Sequence, residues 1–125
     1  MTENELSKTI VDLCFKIHKT LGPGLFESVY EEVLCIELNG SNLQYSRQKP
    51  INISYENIPL NIGFITDIIV EDKVIIEIKS VETLKAVHHK QLLTYLKLTN
   101  LKLGLLINFN TNLLKDGIKR IVNNL

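Results

Sequence analysis

Asp67, Glu77 and Lys79 stand among apolar residues in the stretch G-F-I-T-D-I-I-V-E-D-K-V-I-I-E-I-K, Gly63 to Lys79. Two apolar runs, Ile68 to Val70 and Val74 to Ile78, flank a polar turn at Glu71, Asp72 and Lys73. Short β-branched runs around a charged turn predict an antiparallel hairpin. Strand side chains alternate faces, so Glu77 and Lys79 share a face with Ile75, while Ile76 and Ile78 point the other way. If the turn takes three residues, paired positions sum to a constant and Asp67 falls opposite Glu77. Two carboxylates and an ammonium then meet at one end of an apolar hairpin. Charges placed there need partners or an ion. The chemistry these residue types could do is to hold a hard divalent cation on Asp67 and Glu77, with Lys79 beside an attacked phosphate. The plain alternative is a surface hairpin end with one Lys–Glu pair, since an acid, a gap and E-x-K form a short pattern.

The elements that must position these groups follow from periodicity. Leu6, Ile10, Leu13, Ile17 and Leu21 recur at three or four residues and predict a helix from Glu5 to Leu21. His18 falls near its end, where a cation suits the helix dipole. Gly22-Pro23-Gly24 ends that helix. A second helix is predicted from about Leu25 to Leu38, stopping at Asn39-Gly40, with Glu27, Glu31 and Glu32 in its early turns. Leu43 to Tyr55 reads as a strand bent or held at an edge by Pro50. Arg47 and Lys49, two apart, are expected on one face of it. Ile58 to Ile65 reads as a further, irregular strand that feeds the central hairpin. A third helix is predicted from Thr83 to Leu98, carrying His88, Gln91, Leu92 and Tyr95 on one face. Leu103 to Phe109 is continuously apolar, as expected of a central strand buried on both faces. Leu113 to Val122 reads as a weakly amphipathic terminal helix. The predicted order is α-α-β-β-β-β-α-β-α. The helix before the Leu103–Phe109 strand makes a crossover, so that strand should lie parallel beside Val74–Ile78. The fold class is α/β, a mixed sheet flanked by helices, in a single domain over residues 1–125.

Bulk properties bound the function. A chain of 125 residues, 45% hydrophobic and 22% charged, fits one domain with a real core. No apolar run reaches the roughly 18 residues of a membrane span, and the polar, acidic start M-T-E-N-E-L-S-K is no secretory signal. Cys14 and Cys35 are the only cysteines and sit in helical patterns, which predicts free buried thiols and a cytoplasmic location rather than a zinc site. Net charge is zero, yet residues 1–78 carry 6 Lys/Arg against 12 Asp/Glu, and residues 79–125 carry 8 against 2. The basic half could face a phosphate backbone, or the halves could simply neutralise each other.

The order α-β-β-β-α-β with D-x9-E-x-K resembles the PD-(D/E)xK nuclease superfamily. G-L-F-E-S-V-Y, Gly24 to Tyr30, is similar to the G-x-x-E-x-x-Y motif of a family of small bacterial and archaeal proteins within it. H-H-K-Q-L-L-T-Y-L, His88 to Leu96, resembles that family's H-x-x-Q-x-x-x-Y-L helix, and G-L-L-I-N-F, Gly104 to Phe109, its last strand. The resemblance covers nearly the whole chain. It implies a restriction-endonuclease-like core with Asp67, Glu77 and the Ile78 carbonyl as metal ligands. It implies Lys79 as the catalytic lysine, Glu27 as an acid reaching the site from an early helix, and Gln91 as the residue that orients it. Tyr95 lies behind Gln91, and Tyr95, His88, Arg47 and Lys49 are the candidate substrate-binding residues. Phe64, Ile65 and Thr66 depart from the family's usual basic or aromatic pair and small residue, and no proline precedes Asp67.

The implied activity is Mg²⁺- or Mn²⁺-dependent hydrolysis of phosphodiester bonds in DNA or RNA, with DNA favoured over RNA. Asp67, Glu77 and Glu27 are expected to converge on one metal site, because isolated buried acids are costly. A domain this small has little surface to grip a duplex beyond its cleft, which predicts a homodimer or larger complex and no membrane partner. Two other readings remain open. One is a non-catalytic module that keeps the nuclease fold and binds nucleic acid or a protein. The other is a metal-dependent phosphohydrolase acting on nucleotides.

Overall fold

A computed structural model of the chain describes residues 1–125. Helix α1 runs Glu3–Leu21, α2 Glu27–Gly40 and α3 Ala86–Thr99. Strands β1 (Tyr45–Tyr55), β2 (Ile58–Val70), β3 (Val74–Lys79), β4 (Leu103–Asn108) and β5 (Ile118–Val122) form one sheet in the order β1-β2-β3-β4-β5. Only β3 and β4 are parallel, joined by the α3 crossover, and every other neighbouring pair is antiparallel. The mixed α/β sheet between helices is therefore the expected fold class.

Alternation builds two cores from one sheet. Ile76 and Ile78 of β3 join Ile68, Leu105, Ile107 and Phe109 beneath α1 and α2, where Leu6, Ile10, Tyr30 and Leu34 are fully buried. Ile75 faces the other way and packs with Ile69, Leu106 and Ile121 against Leu92 and Leu96 of α3. Each such buried aliphatic side chain contributes about 1.5–3 kcal/mol relative to exposure. Strand β4 is buried at every position, as a central strand covered on both faces must be. Helix α3 approaches β4 closely, because a Cβ on Gly104 would lie 2.9 Å from Leu92. Helix α1 starts on a reciprocal cap, in which Thr2 and Glu5 each accept the other's backbone N–H. It ends at Gly22, whose φ of 69° is in the left-handed region.

Two details of the expected order are corrected. Ile58–Ile65 and Ile68–Val70 are not separate strands, because β2 runs unbroken from Ile58 to Val70. Gly63 allows a close approach rather than a break, since a Cβ there would meet the Ile51 carbonyl oxygen. Pro50 is tolerated in β1 because that strand is a sheet edge. The terminal helix over Leu113–Val122 is also absent. A short 3-10 turn, Leu114–Gly117, leads into β5, which pairs with β4 from Leu103↔Val122 to Ile107↔Ile118. Without β5, the row of backbone groups along the buried β4 would have no partner on that side.

Candidate active site

The β2–β3 ladder pairs Ile68 with Ile76, Ile69 with Ile75 and Val70 with Val74. Its turn is made by Glu71 and Asp72, both at φ 52°, with Lys73. One further step places Asp67 opposite Glu77. The backbone ladder stops there, because the Asp67 side chain takes over. Its Oδ2 accepts the Ile78 N–H at 2.8 Å. The backbone carbonyl of Lys79 turns towards β4 and accepts the Phe109 N–H at 2.9 Å. Successive strand residues alternate direction, so the Ile78 carbonyl turns towards Asp67, on the same side as its N–H.

Glu77 is largely withdrawn from water, and its Oε1 is buried with no hydrogen-bond partner. Burial, then the neighbouring Asp67 charge, pushes its carboxyl up to about 8. Burial also raises Asp67, opposed by the Ile78 N–H. The two carboxyls thus crowd one site, where the Lys79 charge opposes the rise of both. Lys79 is half-buried on the same strand, and none of the chain's four ion pairs includes it. Its ammonium is free to meet an anion.

Glu27 reaches the end of the same strand from another helix. As the first residue of α2, it accepts the Ser80 N–H on Oε2 at 3.0 Å. Ser80 Oγ in turn donates to the Leu25 carbonyl at 2.6 Å. Tyr30 fixes this loop from below. Its hydroxyl donates to the Gly22 carbonyl at 2.5 Å and accepts the Leu25 N–H at 3.2 Å. Its ring stacks on Phe109, with centroids 4.4 Å apart. Gly24, at φ 98°, supplies the backbone bend. The expectation that Glu27 joins Asp67 and Glu77 in a three-acid cluster is corrected, since no three His, Cys, Asp or Glu side chains gather closely enough to hold an ion. The Glu27 carboxylate is engaged by the Ser80 backbone instead.

Helix α3 closes the other flank. Tyr95 stacks face to face on Phe64, centroids 3.9 Å apart and planes within 4°. Burial raises its hydroxyl, with Glu77 and Asp67 adding to the effect, which marks the ring as their neighbour. Gln91 is exposed one turn earlier. His88 caps the helix, its Nδ1 accepting the Lys85 N–H at 3.0 Å.

Arg47 and Lys49 do not share a face as expected. Arg47 turns to α2 and pairs with Glu31 at 2.7 Å and Glu32 at 2.5 Å. Lys49 lines a cavity with Ile51, Ile69 and Thr99 on the α3 side. Between them Gln48 has φ 51°, which breaks the pleat and hence the alternation. Four residues that sequence patterns did not single out complete the surroundings. Gln48 and the buried Glu31 lie behind Asp67, and Ser80 anchors Glu27. The buried Asn108 holds the loop after Lys79 by bonding both the N–H and the carbonyl of Val81. Only the placement of Asn108 opposite Lys79 could have signalled it, and that needs the β3–β4 register.

A family model described as PD-(D/E)XK nuclease superfamily matches residues 4–121. The chain belongs to the PD-(D/E)XK nuclease superfamily. No curated protein and no solved structure matches it significantly. Membership indicates a nuclease-type function with a nucleic-acid substrate, and nucleases of this superfamily generally use divalent metals. No helix is long and apolar enough to cross a membrane.

Proposed function

We propose that this chain is a Mg²⁺- or Mn²⁺-dependent nuclease that hydrolyses phosphodiester bonds of DNA or RNA. The observation that carries the reading is the buried, unpartnered Glu77 Oε1 beside Asp67. Such an oxygen costs free energy unless something satisfies it. A hard divalent cation fits, because every available donor there is oxygen: two carboxylates and the Ile78 carbonyl. Asp67, Glu77 and Ile78 would hold it. The chemistry that an ion supplies when bound is polarisation of the phosphate and acidification of a water.

The rest falls to the chain's own residues. Lys79, on the face of Glu77 and outside every ion pair, contacts a phosphate oxygen and steadies the charge that develops there. Glu27 and Ser80 fix the strand end from which Lys79 projects. Tyr95, stacked on Phe64, feels the charge of the carboxylates, and Gln91, exposed one turn earlier on α3, is the proposed orienting donor. His88, engaged as a cap through Nδ1, has a substrate role only through Nε2. Arg47 and Lys49, on opposite faces, divide: Arg47 supports α2, and Lys49 is the one placed to meet a nucleic-acid backbone.

The motif Gly24–Glu27–Tyr30 supports assignment to the G-x-x-E-x-x-Y group, since each of its residues has a part in the loop that holds Ser80. A homodimer is the assembly proposed, because one small domain offers little surface beyond its cleft. Sedimentation as a monomer at tens of micromolar would count against it. The activity is tested with single- and double-stranded DNA and RNA in Mn²⁺. Cleavage that disappears in EDTA and in Asp67→Ala supports the proposal. No cleavage, together with no calorimetric Mn²⁺ binding, would leave a non-catalytic binding module on a nuclease fold.

A further inference from the structure

Gln48 is a non-glycine residue in the left-handed region, φ 51°, in the middle of a strand. The β1–β2 register pairs Arg47 with Ile68 and Lys49 with Thr66, which leaves Gln48 and Asp67 facing each other outside the ladder. The Gln48 Nε2 donates to Glu31 Oε1 at 2.6 Å and lies 3.4 Å from Asp67 Oδ1. Two carboxylates flank one amide, so its nitrogen, with two N–H groups, must be the end that faces them. Glu31 is itself 7% exposed and anchored by Arg47 at 2.7 Å. A chain of contacts thus runs from Arg47 through Glu31 and Gln48 to Asp67. It reaches the Asp67 oxygen that the Ile78 N–H leaves free.

Left-handed backbone is unfavourable for a non-glycine residue and persists where the surroundings over-determine it. In a strand with no turn to make, the conformation has one visible consequence. It swings the Gln48 amide between α2 and Asp67 and sends Arg47 and Lys49 to opposite faces. We infer that Gln48 is a positioning residue for the metal site, orienting the Asp67 carboxylate by bridging it to the buried Glu31. The inference rests on the metal-site reading above and adds to it a group from outside the acid, acid, lysine set.

The test separates positioning from support of the fold. Gln48→Gly relieves the backbone but takes one hydrogen bond from the buried Glu31, two opposed effects, so the metal-free protein should melt within a few degrees of its parent. Its Mn²⁺ affinity by calorimetry should fall about tenfold, the usual scale for an outer-shell partner. Gln48→Asn tolerates the same backbone region but is one methylene shorter, and should also bind Mn²⁺ more weakly. Unchanged Mn²⁺ affinity in both variants overturns the inference while leaving the nuclease reading intact. A drop in melting temperature with no change in affinity assigns Gln48 to the fold alone and overturns it as well. Absence of Mn²⁺ binding by the unsubstituted protein overturns both.

Discussion

Asp67 accepts the backbone N–H of Ile78 at 2.8 Å, so a side chain of β2 stands where the ladder would have placed a backbone carbonyl. The bond fixes one Asp67 oxygen and ends the β2–β3 pairing. It also leaves Glu77 facing Asp67 with an oxygen that nothing satisfies.

That unsatisfied oxygen gives a pH dependence. Glu77 has its folded carboxyl raised from 4.5 to about 8. A group raised on folding binds its proton more tightly in the native state, so the penalty is absent at pH 4 and grows as the pH climbs through 4.5. It is complete above about 8. Glu77→Gln removes the charge at similar shape. In EDTA at pH 8.5 the variant should melt roughly 5 °C or more above the unsubstituted protein, and the two should converge at pH 4.5. Equal melting at pH 8.5 would show that Glu77 is not under strain. Added Mn²⁺ should reverse the order by stabilising only the protein that retains Glu77.

The loop before α2 hangs on one hydroxyl. Tyr30→Phe keeps the stack on Phe109 and leaves the Gly22 carbonyl and Leu25 N–H without their bonds. The cost should be about 1–3 kcal/mol in urea unfolding. Because Leu25 and Glu27 both bond Ser80, cleavage should fall as well. A variant as stable and as active as its parent would detach this loop from the site.

Gly104 is where α3 sits on β4. A methyl there would lie 2.9 Å from Leu92, and Leu92 is buried beneath the helix that carries Gln91 and Tyr95. Gly104→Ala should destabilise by about 1–3 kcal/mol, as overpacking does. It should also weaken activity by shifting α3. Denaturant melts that overlay those of the parent would contradict the close approach.

The facing acids are legible in the sequence because a hairpin with a three-residue turn obeys simple arithmetic. Asp67 opposite Glu77 follows from where Ile68–Val70 and Val74–Ile78 begin and end. The parallel pairing of β3 with β4 follows equally from the helix between them. Gln48 defeats the same arithmetic, because alternation assumes a regular pleat and a left-handed residue breaks it. That is why Arg47 and Lys49 part company. Glu27 keeps its nearness to the strand end but bonds a backbone N–H that no residue pattern encodes. At the C-terminus, Leu114, Ile118 and Ile121 repeat at helical spacing. A strand forms there because the open edge of β4 needs partners, a demand set by the sheet and not by the segment itself.

The most direct measurement compares the unsubstituted protein with Lys79→Ala for Mn²⁺-dependent cleavage, with Mn²⁺ affinity measured alongside. Lys79 stands on the face of Glu77 but cannot be a ligand, and its positive charge opposes a bound cation. Its loss should leave Mn²⁺ affinity unchanged or slightly tighter while lowering the cleavage rate by about 10²–10³. Cleavage by Lys79→Ala at the normal rate would make the lysine structural and contradict the proposed chemistry.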